Sequence, residues 1–149
     1  MHHHAAGPSP WARRLGFGGL LPFVGLAAAL WLDPDAGGPL TAAALVAYGA
    51  TIVSFLGAIH WGLVMRDAPA GATPSLLWGV VPGLLGWLGL LLPAVPGLLL
   101  IAALLWACLG MDRVLYPRHR LQAWLPMRWQ LTLVASLGCV AGAAALLRT

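Results

Sequence analysis

An ionisable side chain is costly to hold inside a lipid bilayer, and where one persists it either finds a partner or serves a site. His60 is such a residue, because it lies within the uncharged stretch from Thr41 to Met65, near the end that Arg66 and Asp67 close. An imidazole at that position could relay protons, ligate a metal or haem, or hydrogen-bond a quinone. Its plainer role is that of a neutral histidine tying two helices together, or reaching to the interface. Trp61 follows it directly, and Asp112 closes another uncharged run on the same side. If the helices carrying them touch, an Asp112–His60 bond would orient the ring. Asp112 also adjoins Arg113, and an ordinary interfacial ion pair between those neighbours is the simpler expectation. His60, Trp61 and Asp112 are therefore the candidate cofactor-binding residues; no catalytic and no metal-ligating residue is assigned.

Other reactive groups fit these chemistries less well. Tyr48 lies about 18 Å from His60 along a helix, too far to bond it. Ser54 is expected to hydrogen-bond its own helix backbone. Cys108 and Cys139 fall inside apolar runs at different depths, so they read as small packing residues, neither a disulfide nor a shared metal site. The run His2-His3-His4 belongs to an N-terminal tail, with weak metal binding as the alternative. One intramembrane histidine cannot make a bis-histidine haem site within a monomer, and no Asp or Glu sits at mid-membrane for an ion pump. Neither a Gly-rich phosphate loop nor a catalytic triad is present. The sequence requires no cofactor.

Helices that cross a membrane must position these candidates. The chain is 60% hydrophobic and 8% charged, against roughly 25% charged in a soluble domain. The eight basic residues are all Arg, and they stand at the ends of apolar runs without forming the dense stripe a nucleic-acid surface needs. An all-α integral membrane bundle follows, with five spans at about residues 15–32, 41–65, 75–92, 95–111 and 129–147. Residues 1–12 are expected to be a disordered tail and residues 13–149 a single transmembrane domain. A signal peptide is the competing reading of the first run, although that run is long for a signal core and Trp31 follows its small residues.

Ser75–Met111 is uncharged over 37 residues, which would make a helix of about 55 Å against a hydrocarbon core of roughly 30 Å. Pro93 and Pro96 break it into a hairpin, with a re-entrant pair as the alternative. Leu121, Trp124 and Leu125 in the connector from Asp112 to Arg128 have helical spacing. They predict either a short helix lying in the interface or an ordinary loop.

With five spans, Arg13, Arg14, Arg66, Arg113, Arg118, Arg120 and Arg128 share one side, and Arg148 stands alone on the other. The positive-inside rule then predicts a cytoplasmic N-terminus and an external C-terminus. Small residues four apart predict close helix packing: Ala50, Ser54, Ala58 and Gly62 in the second span, Gly79 and Gly83 in the third, Gly138 and Gly142 in the fifth. Small or polar residues on opposite sides of the second span predict a central helix with neighbours on both flanks.

The stretch from Tyr48 to Gly62, which ends in SFLGAIHWG, resembles the signature of the domain of unknown function 3429 family, bacterial membrane proteins related to mitochondrial transmembrane protein 69. Leu20-Leu21-Pro22-Phe23, Leu77-Trp78, Val81-Pro82 and Asp112-Arg113 agree with it. The resemblance implies a small multi-helix inner-membrane protein and supplies no catalytic residue. The expected function is a non-enzymatic accessory or assembly subunit of a membrane complex, multi-pass in the bacterial inner membrane. The expected partners are the lipid bilayer and either a membrane protein or further copies of this chain, without nucleic acid. The alternatives are a small-solute or proton permease acting as an oligomer, and a haem- or quinone-associated redox protein using His60.

Overall fold

The computed structural model describes residues 7–33, 38–67 and 70–148. The His2–His4 run and residues 34–37 of the first loop lie outside the described residues. The described residues are helical with no strands, and five helical stretches are long and apolar enough to cross a membrane.

The first stretch is two helices, α1 (Pro10–Gly18) and α2 (Leu21–Leu32). It begins ahead of the expected Leu15 because Ser9 caps it: its Oγ accepts from the Ala12 N–H at 3.1 Å, and Pro10 opens the first turn. Gly18, Gly19 and Pro22 interrupt it, since Pro22 has no N–H to continue the ladder. At the break the Gly19 carbonyl accepts the Tyr48 hydroxyl at 2.7 Å, which ties the kink to the next helix.

Helix α3 (Gly38–Asp67) has 30 residues and is about 45 Å long, more than the hydrocarbon core requires. It packs against α2, against α4 (Thr73–Leu91), against α5 (Ala94–Leu115) and against α6 (Leu125–Leu146), so it is the central helix that its sequence predicts. Its buried face runs through Leu45, Gly49, Val53, Leu56, Gly57 and His60. The predicted ladder of small residues is only partly used, for Ala58 and Gly62 face outward. Gly57 makes the close approach instead, where a Cβ would lie 2.6 Å from the Gly79 carbonyl oxygen of α4. On α6, Gly138 abuts Phe23 and Gly142 abuts Leu45, as the spacing of those glycines predicts.

The hairpin between the third and fourth spans is present. Leu92 and Pro93 are extended (ψ 158° and 152°), Leu92 as a residue before proline prefers, and α5 starts at Ala94. Gly89 and Gly97 let the two arms meet, a Cβ on Gly97 falling 2.7 Å from the Gly89 carbonyl. The interfacial helix is absent. Helix α5 continues to Leu115, two 3-10 turns follow at Tyr116–His119 and Gln122–Trp124, and α6 begins at Leu125 with Pro126 in its first turn. The spacing of Leu121, Trp124 and Leu125 therefore straddles a turn and a helix start.

Phe23, Leu30, Leu45, Val53, Leu98, Ile101, Leu105 and Cys139 form the core. Leu21, Leu40, Phe55, Leu84, Trp87, Leu99, Leu137 and Val140 point outward. An apolar surface this extensive is lipid-facing, since a soluble monomer rarely exposes a contiguous apolar patch beyond a few hundred Å².

Candidate functional site

The up-and-down order of the helices brings the end of α3, the end of α5 and the start of α6 together. His60, Asp112 and Arg128 meet there, each from a different helix and each buried, at 1%, 1% and 7% exposure. Arg128 Nε donates to Asp112 Oδ2 at 2.8 Å. His60 Nε2 lies 3.1 Å from Asp112 Oδ1. An ionised carboxylate only accepts, so Nε2 carries a proton and donates it to Asp112. The carboxylate holds a cation on one oxygen and an imidazole N–H on the other, which is the arrangement that makes a buried charge tolerable.

Two expectations change here. Asp112 pairs with Arg128 and His60 and not with its neighbour Arg113, whose side chain is exposed. Successive residues on a helix point about 100° apart, so Arg113 turns outward when Asp112 turns inward. Arg128, read from sequence as a charge in a loop, is a buried helical residue. The signal that could have found it is Pro126, a residue type favoured in the first turn of a helix, which puts Arg128 inside that helix. Trp61 takes no part in this cluster. Its Nε1 donates to the Leu76 carbonyl at 2.9 Å and joins α3 to α4.

A second polar cluster closes the same end. Asp67 accepts two bonds from Arg66, at 2.6 and 2.8 Å, and its Oδ2 lies 2.6 Å from His119 Nδ1 in the 3-10 turn. His119 carried no signal in the sequence, because its partner is 52 residues away. The turn is finished by Arg120 in the left-handed region (φ 58°), with the Leu121 N–H on the Tyr116 carbonyl at 2.9 Å.

Beside the ion network lies a cavity of about 370 Å³, lined by residues of α1, α2, α3, α5 and α6 together with Tyr116 and Trp124. Its walls are largely apolar, among them Leu20, Phe23, Phe55, Leu56, Met127 and Leu131. Arg128 and Thr132 line it too, one helical turn apart on α6. The Arg128 Nη2 and Thr132 Oγ1 atoms are buried and have no hydrogen-bond partner in the protein. A helical threonine ordinarily bonds a carbonyl one turn back. An apolar hollow with a few convergent polar groups is the usual form of a small-molecule site. His60 does not line it, and its Nε2 is engaged by Asp112.

No solved structure matches this chain. The chain is similar to Transmembrane protein 69 of Xenopus tropicalis, at 44% identity over 86 residues, which cover 56% of this chain and 33% of that protein. The match thus spans a third of the relative's length. A family model described as "Protein of unknown function (DUF3429)" matches residues 8–144, nearly the whole of the helical bundle, and the chain accordingly belongs to that family.

Proposed function

We propose that this chain is a non-enzymatic accessory protein of a larger membrane complex, and that it holds a lipophilic molecule at the Arg-rich end of its bundle. The observation that carries the reading is the pairing of an apolar cavity with two buried, unpartnered polar atoms, Arg128 Nη2 and Thr132 Oγ1. A buried donor without an acceptor costs on the order of 1–3 kcal/mol, and a bound acceptor relieves that cost. His60 and Asp112 serve this site indirectly, by fixing the guanidinium in place.

The proposed setting is the bacterial inner membrane, with the N-terminus and the arginine end in the cytoplasm. Support comes from Arg13, Arg14, Arg66, Arg113, Arg118 and Arg120, which are exposed and belong to helix ends and turns on one side. Purification in a mild detergent followed by native mass spectrometry tests the function. The expected result is a retained lipophile together with a protein partner. A lone, ligand-free monomer under every gentle condition would reject it.

A further inference from the structure

Resting on that reading, we infer that the molecule held in the cavity is neutral and is anchored by a carbonyl oxygen to Arg128 Nη2 and Thr132 Oγ1. The argument is one of charge. Arg128 already has its counter-ion, since Asp112 accepts from its Nε at 2.8 Å. His60 Nε2 engages the other carboxylate oxygen at 3.1 Å, so both oxygens of Asp112 are already taken within the protein. An anionic headgroup would bring a second negative charge beside Asp112 in a medium of low dielectric, where the guanidinium is already paired. A carbonyl oxygen has two lone pairs and no charge, and it can accept from both donors at once. Because Arg128 and Thr132 are four residues apart on α6, their side chains share one face of the helix, the face that lines the cavity. Phe23, Leu56 and Met127 offer the apolar body of the ligand its contacts. Two sources carry this chemistry, a quinone ring and the ester of a neutral lipid.

The test uses the full chain in nanodiscs of zwitterionic phospholipid and three probes: a short-chain benzoquinone, methyl laurate and the laurate anion, each titrated by calorimetry. The benzoquinone and methyl laurate should compete for one saturable site, with laurate at least about tenfold weaker; the tighter of the two neutral probes identifies the source. Thr132→Val keeps the shape of the residue and should weaken the neutral probes about tenfold, the equivalent of one hydrogen bond, without lowering the unfolding midpoint. Arg128→Lys keeps a cation for Asp112 and should weaken them to a similar degree. If laurate binds more tightly than the neutral probes, or Thr132→Val binds them unchanged, the carbonyl anchor is overturned while the lipophile-holding function stands. If no probe shows saturable binding and native mass spectrometry finds no co-purified lipophile, that function falls as well.

Discussion

His60 Nε2 and Asp112 Oδ1, 52 residues apart in sequence, lie 3.1 Å from each other at the meeting of three helices. Arg128 completes the contact from the third helix. The consequences differ for each member of the network, and they can be measured separately.

Removing the carboxylate is the most damaging change. Asp112→Ala leaves the Arg128 guanidinium buried without a counter-charge, and breaking a buried pair in this way costs about 3–5 kcal/mol. Arg113→Ala, at the exposed neighbouring position, should be close to neutral. Unfolding in mixed SDS and mild detergent compares the two directly; equal losses would show that Asp112 is not the charge holding the helices together.

Replacing both charges should restore much of what one replacement removes. Buried ion pairs exchanged for apolar residues of similar size are often neutral or stabilising. Asp112→Leu with Arg128→Met is therefore expected to unfold near the wild-type midpoint, well above Asp112→Ala. A double variant no better than the single one contradicts the pairing.

His60→Leu removes one interhelical hydrogen bond and little volume. Such bonds in membrane bundles are worth about 0.6 kcal/mol on average, with a maximum of about 1.7. The variant should fold and lose roughly that much, far less than Asp112→Ala. A loss as large as that of Asp112→Ala would show that His60 is more than one interhelical hydrogen bond.

Two glycines on α3 separate packing from composition. A Cβ at Gly57 would lie 2.6 Å from the Gly79 carbonyl oxygen, whereas a Cβ at Gly62 meets nothing within 4 Å. Gly57→Ala should destabilise by about 1–3 kcal/mol through overpacking. Gly62→Ala should be neutral or stabilising by up to about 1 kcal/mol, through helix propensity. Thermal unfolding in detergent checks both, and the reverse order would place α4 against the other side of α3.

The proposed orientation has its own test. In a background where Cys108 and Cys139 are serine, Arg118→Cys should be shielded from an impermeant maleimide in intact cells and react after lysis. Arg148→Cys should react from outside. The opposite pattern would invert the topology.

Crossing the membrane is a local property. Each span is a sum of transfer free energies over about 20 consecutive residues, so the five spans, the turn at Leu92–Pro93 and the arginine-rich end could be read from the chain alone. The signature around His60 pointed to the family for the same reason, since a motif is contiguous. The conditional bond between His60 and Asp112 was legible as well, because both residues were expected at one end.

What the tertiary structure decided is which faces meet. Asp112 chose Arg128 over the adjacent Arg113, and Gly57 took the close contact expected of Ala58 and Gly62, because a helix turns successive residues by about 100° and its rotation is set by packing against neighbours. The helix start at Leu125 moved Arg128 from a loop into the bundle. The cavity drew its walls from five helices, and no local sum over the sequence contains that information.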